Sequence, residues 1–288
     1  MSTVKLKKYA FSQAGKITVI ALAVLTVTVL WLTNTVQKDQ LLLSVPQVRL
    51  IPWLESSYTY FYLHLFTIVP VFLLSFDKNV HYYKKWRYLM PAIGITATVF
   101  ILWDVFFTAV GVWGFNHSYL SGLFLWGLPV EEWLFFLTVP FACVFIYECL
   151  NFYIKRDLLA GVSPFISVGL MILFFGLGIV FWSNLYTSTT CLLSGFFLLY
   201  HLLYIDGHYR SRFYLAYLVS WLPFLIVNGV LTGGYTQAPI VIYNPEEYLG
   251  IRITSVPLDD SIYSFLLLFS TTTLFEHFRS NSSPPNNQ

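Results

Sequence analysis

Two adjacent glutamates, Glu131 and Glu132, open the apolar run that begins in "GLPVEEWLFF" (127–136) and continues to Glu148. A second acidic pair, Asp259 and Asp260, opens the run in "VPLDDSIYSF" (256–265), and Asp104 sits between Trp103 and Val105 in a third. Carboxyl groups in such surroundings suit proton transfer. One acid protonates an apolar alkene, aromatic faces stabilise the carbocation, and a second carboxylate removes a proton. Neither a metal nor a redox cofactor is needed. A pocket that holds two carboxyl groups can keep one protonated beside an ionised neighbour. Successive helical residues diverge by about 100°, so only one member of each pair points squarely into a pocket; for Glu131 and Glu132 the sequence leaves the choice open. The plainer reading of each pair is ordinary helix-start chemistry, since proline and acids are favoured in the first turn. That reading does not extend to Asp104, which lies late in its helix.

Aromatic residues crowd the same stretches: Trp103, Phe106, Phe107, Trp113, Phe115, Trp126, Trp133, Phe135 and Phe136. Trp103, Phe107, Trp133, Phe135 and Phe136 are the candidates for holding the substrate and stabilising a cation. Trp113 and Trp126 fit an interfacial aromatic belt.

The elements that must position these groups are membrane helices. The chain of 288 residues is 57% hydrophobic and 10% charged, against roughly 25% charged in soluble domains. Apolar runs of the roughly 20 residues that a crossing needs recur near 17–35, 58–76, 88–110, 129–151, 163–183, 187–205, 213–232 and 257–278. The expected fold is an all-α polytopic bundle of about eight transmembrane helices. With the N-terminus inside, thirteen of the sixteen Lys and Arg residues fall on the inner side, leaving Lys38, Arg49 and Arg252 outside. This bias predicts a multi-pass protein of the cell (inner) membrane with both termini cytoplasmic. The first span has the basic flank of a signal peptide but no small-residue cleavage site after it, and is read as a retained anchor.

The charge pattern implies no nucleic-acid partner. Cys143, Cys149 and Cys191 have spacings that fit neither a metal site nor a disulfide framework and are read as small core residues. His64 and His201 are read as packing residues, and Glu148 and Glu276 as interfacial groups at inner helix ends.

An internal repeat organises the chain. "LPVEEWLFFLTVPFACVFIYE" (128–148) lies over "VPLDDSIYSFLLLFSTTTLFE" (256–276) at an offset of 128, and "WDVFFT" (103–108) echoes "VNGVLT" (227–232), which sets Asn228 against Asp104. The expected organisation is an N-terminal extension with one anchor helix (1–57), a first unit (58–162), a connecting transmembrane helix (163–183), a second parallel unit (184–278) and a disordered polar tail (279–288). Entering from outside at Pro129, Glu131 and Glu132 lie ~3–5 Å below the start of their helix, while Asp104 is ~24 Å along an outward-running one. Asp259, Asp260 and Asn228 repeat these depths, so all six groups reach one outer layer. Functional sites of repeated membrane units often lie at the unit interface.

"PVEEWLFF", "WDVFFTAVGVWGFNHSYLSG" and "LLSFDKNVHYYKKWRYLMPAI" resemble the flavin-independent lycopene β-cyclases of carotenoid biosynthesis, whose two halves occur as separate subunits or fused. The likeness runs from about Tyr58 to Phe278. It places the family's acidic motif on Pro129, Glu131 and Glu132 and its aspartate after tryptophan on Asp104. It implies an isomerase that protonates a terminal double bond of lycopene, closes the ring by attack of the next alkene, and loses a proton to give a β-ionone ring. It also implies a lipophilic carotenoid substrate, no cofactor, a composite site with Asp259 and Asp260 facing Glu131 and Glu132, and room for association with other carotenoid enzymes. The extension lies outside the pattern, and Asn228 makes the two units inequivalent. No G-x-G-x-x-G turn is present for a flavin.

Two rival readings use the same acids. An intramembrane prenyltransferase needs Mg²⁺ and basic residues near them, whereas the basic residues lie on the opposite side. A proton-coupled transporter favours interrupted helices at mid-membrane, which the spans do not show. Reporter fusions check the orientation. A reporter active only outside the cytoplasm is expected to be silent after Arg156 and active near Arg49, and the reverse pattern would invert the bundle.

Overall fold

The computed structural model describes residues 13–37, 41, 45–205, 207 and 209–281. Eight α-helices carry the fold: α1 (Gln13–Thr33), α2 (Thr59–Leu74), α3 (Trp86–Val110), α4 (Val130–Tyr153), α5 (Ser163–Val180), α6 (Leu185–Tyr204), α7 (Arg210–Leu231) and α8 (Leu258–Asn281). Helices are the expected solution for apolar runs in lipid, because each satisfies its backbone hydrogen bonds internally.

Among the described residues, five stretches are long and apolar enough to cross a membrane: Gly15–Thr33, Tyr82–Val110, α4, α5 and α7. The chain is a membrane protein. Helix α2 has only 16 residues, while α6 and α8 are diluted by polar side chains. The polar run Thr187, Ser188, Thr189 and Thr190 on α6 is buried, as are Asp259, Asp260, Ser261 and Ser264 on α8. A helix enclosed by other helices meets side chains rather than lipid, so hydropathy alone understates its place in the bundle.

Helices α4 and α8 form the centre. Helix α4 packs on α2, α3, α7 and α8, and α8 packs on α6, α7, α3 and α4, while α5 and α1 lie against α6. Among these six helices, exchanging α2, α3 and α4 for α6, α7 and α8 leaves the neighbours of α4 and α8 unchanged.

Short strands knit the loops at the end of the bundle where α4 and α8 begin. Strand β1 (Trp113–Phe115) pairs antiparallel with β4 (Val241–Tyr243), with Gly114 opposite Ile242. Strands β2 (Phe124–Leu125) and β3 (Leu128–Pro129) form a hairpin ahead of α4, and β5 (Arg252–Ile253) and β6 (Val256–Pro257) form another ahead of α8. The hairpins share details at the offset of 128. Trp126 and Thr254 have φ of 54° and 58°, Gly122 and Gly250 have φ of 85° and 74°, and Val130 and Leu258 each donate a backbone bond of 2.9 Å to Leu123 and Ile251. Positive φ in a two-residue turn matches the twist of a hairpin. Each turn delivers the acidic pair directly into the first turn of its helix.

Near the ends of α4 and α8, Glu148 and Glu276, expected as interfacial groups, are enclosed by protein, at 2% and 5% exposed. Glu148 is paired with Lys85 and, at 2.9 Å, with Arg279, which also binds Glu276 at 2.6 Å. Tyr147 donates to Glu276 at 2.6 Å. Acids that look peripheral in a linear reading are enclosed because α3, α4 and α8 converge there, and buried carboxylates require such partners. Helix α8 also runs three residues past the expected boundary at 278, and residues 282–288 of the expected tail lie outside the described residues.

The inner cluster yields a stability prediction. Glu148→Ala removes the shared acceptor of Lys85 and Arg279 and is expected to destabilise the detergent-solubilised protein by about 1–3 kcal/mol, since both cations are partly exposed. Thermal unfolding measures this, and an unchanged midpoint would show that the cluster contributes nothing to stability.

Candidate active site

Three carboxyl groups meet in a cavity of about 60 Å³ beneath the β1–β4 pair: Asp104 from α3, Glu132 from α4 and Asp260 from α8. Asn228 from α7 lines the same space. The acids are 2%, 9% and 5% exposed, so their oxygens must find donors within the protein. Tyr60 donates to Glu132 Oε2 at 2.6 Å, and Trp113 Nε1 donates to Asp104 Oδ1 at 2.5 Å. Asp260 accepts three bonds: from Tyr186 at 2.8 Å, from Tyr243 at 2.8 Å and from Asn228 at 3.2 Å. Oδ2 of Asp104 is buried without a hydrogen-bond partner in the protein. Burial, and then the Asp260 carboxyl beside it, push the Tyr243 hydroxyl well above its ordinary value of 10, which keeps it a donor.

The two members of each acidic pair separate. Glu131 Oε1 accepts from the backbone N–H of Ser121 at 2.8 Å. Asp259 accepts from the backbone N–H of Leu249 at 3.2 Å and from Thr187 Oγ1 at 2.5 Å. Each therefore holds the loop ten residues before it, while its neighbour, about 100° further round the helix, faces the cavity. The choice that the sequence left open between Glu131 and Glu132 is settled geometrically: Glu132 lines the cavity and Glu131 does not, and Asp260 and Asp259 follow suit.

Local structure fixes the tyrosines. Tyr60 and Tyr186 are each the second residue of their helix, and each donates to the cavity acid of the same half of the chain. Helix α2 is started by a turn in which the Thr59 hydroxyl donates to Leu54 O at 2.5 Å and its N–H to Ser56 O at 3.0 Å. Helix α6 is started by Glu247, whose carboxylate accepts from Leu185 N at 2.8 Å and whose carbonyl accepts from Tyr186 N at 2.9 Å. Arg252 lies 5.7 Å from the centre of the Tyr243 ring and 5.0 Å from that of Tyr248, placing a cation behind the Asp260 side.

Of the five aromatic residues expected at the site, only Phe135 lines the cavity. Trp103, Phe107 and Phe136 form a layer behind it. Trp103 packs on Tyr263 at 5.0 Å between centres, Phe107 on Trp113 at 5.0 Å and Phe136 on Phe135 at 5.6 Å. Trp133 turns outward, donating to Leu125 O at 3.2 Å and packing on Trp126. The helix crossing decides this, because α8 inserts Tyr263 between α3 and the cavity. Trp113 is a second correction. It is not a belt residue but is 6% exposed and bonded to Asp104, because β1 folds it inward against β4. Tyr60, Tyr186, Tyr243 and Tyr263 escape a sequence reading, since isolated tyrosines carry no spacing signal; only the offset of 126 between Tyr60 and Tyr186 hinted at them.

His64 packs as expected, stacked on Tyr60 with ring centres 4.9 Å apart and bonded to Thr138 at 3.0 Å. His201 packs on Phe269 at 4.5 Å. Among the described residues, no group of three or more His, Cys, Asp or Glu is disposed to hold a metal ion.

The divided roles of the paired acids predict different local stabilities. Glu131→Ala is expected to raise amide exchange at Ser121 by about tenfold, the effect of removing one charge-assisted bond, whereas Glu132→Ala leaves Ser121 protected. Hydrogen exchange by mass spectrometry reads this directly, and equal effects of the two variants would contradict the assignment.

Comparison with known proteins agrees with this arrangement. The lycopene cyclase family profile matches residues 57–150 and 183–278, more than half of the chain and both sets of cavity acids. No match was found among curated proteins or solved structures. With both matched stretches supplying carboxyl groups to one cavity, the chain belongs to the lycopene cyclase family.

Proposed function

We propose that the chain is a lycopene β-cyclase, converting the acyclic ends of lycopene to β-ionone rings and giving γ- and then β-carotene without net redox change. The observation that carries this reading is the convergence of Asp104, Glu132 and Asp260, from different helices, on one cavity lined largely by aromatic side chains. The cavity continues into an apolar groove of about 150 Å³ along α2, α4, α7 and α8, sharing Phe135, Phe224, Asn228 and Ser264 with it. Such a groove suits the polyene next to the reacting end.

The hydrogen bonds support a division of roles. Asp260 accepts three donors, as a carboxylate should, and acts as the base. Asp104 and Glu132 each accept a single side-chain bond and together hold the reacting proton. The free Oδ2 of Asp104 supplies the place for a carboxylic O–H. That proton adds to the terminal double bond and leaves a tertiary cation. The next alkene attacks it to form the ring carbon–carbon bond, and Asp260 removes a ring proton whose bonding electrons become the ring double bond. The proton then returns to the acid pair. Phe135, Tyr263 and Trp113 present rings to the developing charge.

The same reading treats the chain as two parallel units, 58–162 and 184–278, joined by α5 and related by an approximate two-fold through Gly114 and Ile242. It places the protein in the cell membrane with both termini cytoplasmic, supported by the inner excess of Lys and Arg.

Pigment analysis of a lycopene-accumulating bacterial host is the test. The native chain is expected to yield γ- or β-carotene. Glu132→Gln and Asp260→Asn, each expressed at the native level, should lower ring products by about a hundredfold or more, the usual contribution of a general acid or base. Unchanged lycopene with well-expressed native protein would reject the substrate assignment.

A further inference from the structure

Residues before 57 lie outside the family match, yet several of the described ones, Trp31, Gln37, Gln47 and Glu55 among them, are built into one end of the bundle. Trp31 stacks on Phe106 with ring centres 4.3 Å apart and donates to Thr189 Oγ1 at 3.0 Å. Beyond α1, the Gln37 carbonyl accepts from Asn244, which follows β4, at 3.0 Å. The chain then crosses the loop between α7 and β4. Val48 N and Arg49 N donate to Gly234 O at 2.8 and 3.0 Å, Ile51 N to Tyr235 O at 2.9 Å, and Gln47 Nε2 to Thr236 O at 2.8 Å. The fit is close, because a Cβ on Gly233 would meet Val45 at 2.7 Å and one on Gly114 would meet Leu41 at 3.0 Å.

Glu55 ties the two halves of the chain together. One oxygen accepts from the Tyr119 hydroxyl at 2.7 Å and the other from Gln237 N at 2.8 Å. Leu54 is buried in the cluster that contains Tyr60 and Leu231, against which Phe115 and Phe135 pack. All four of those residues line the acid cavity. The segment thus covers the outside of the loops whose inner surface is the cavity roof.

We propose that the N-terminal segment is a water-excluding cap of the reaction cavity, clamping the outer loops of the two halves so that the carbocation closes a ring instead of being captured by water. The proposal rests on the cyclisation reading above. A cation of this kind has two fates. Attack by the neighbouring alkene forms the ring carbon–carbon bond. Attack by a water oxygen forms a carbon–oxygen bond, and loss of one proton from that oxygen to the cavity base gives a tertiary alcohol one water heavier than lycopene. Exclusion of solvent decides between them.

The experiment uses the full chain in the lycopene-accumulating host, with three variants outside the cavity: Gln47→Ala, the double variant Gln47→Ala/Glu55→Ala, and Leu54→Ala. Pigments are separated and weighed by mass spectrometry, and amide exchange is followed on the purified protein at 113–115 and 241–243. The double variant is expected to raise the alcohol as a share of product about tenfold and to speed exchange at the β1–β4 pair by a similar factor, given the hydrogen bonds lost. Gln47→Ala, which removes a single bond, should show the same change in smaller measure and covers the case in which the others fold poorly. Ring product that falls with protein level and no alcohol overturns the cap, whatever the exchange. A native chain that forms no ring product refutes the cyclisation reading, and the exchange result then decides the cap by itself: faster exchange in the variants supports it, unchanged exchange overturns it.

Discussion

Three buried carboxyl groups that share one pocket are the constraint on which the rest of the structure depends. A charge within a helix bundle is costly unless paired or hydrogen-bonded, and Asp104, Glu132 and Asp260 are each less than a tenth exposed. The protein meets that cost with phenols and an indole in place of cations. Tyr60, Tyr186, Tyr243 and Trp113 supply the donors. A hydroxyl satisfies a carboxyl group without fixing its charge as an arginine would, which suits groups that pass a proton to and from hydrocarbon. The inner end shows the contrast, where Glu148 and Glu276 are bonded to Arg279 and serve to join helices.

Near-symmetry explains how the acids come to share one space. The hairpins β2–β3 and β5–β6, the backbone bonds made by Glu131 and Asp259, and the tyrosines at the starts of α2 and α6 correspond across the two halves. Where the halves meet, β1 pairs with β4 and α3 with α8. The departure from symmetry carries the chemistry in the proposed mechanism. Asn228 stands where the first half has Asp104, and its amide donates to Asp260, so one side of the cavity holds two acids and the other an acid with three donors. Identical halves would place equivalent groups on both sides and leave no distinction between donor and acceptor.

The loops that lead into α4 and α8 close one end of the pocket. Their backbones are satisfied by short strand pairs and by the segment after α1, as irregular structure at a membrane surface requires. Positive φ at Trp126 and Thr254 shows how tightly the hairpins turn to deliver the acidic pairs.

The sequence by itself determined the helical bundle and the approximate ends of its helices, and it singled out Asp104 and the two acidic pairs as carboxyl groups within apolar runs. These are legible because lipid demands long apolar runs and makes acids within them rare. It did not determine which member of each pair reaches the cavity, because that depends on the rotation of α4 and α8 about their axes, set by contacts with α2, α3, α6 and α7. It did not turn Trp113 inward, nor set Trp103, Phe107, Trp133 and Phe136 outside the cavity lining, since a ring at the right depth faces inward or backward according to its neighbours across the bundle. The tyrosine donors, and the contacts of Gln47 and Glu55 over the roof, arise between residues far apart in the chain. Only tertiary structure decides such contacts, because no local pattern encodes which distant side chain will satisfy a buried polar group.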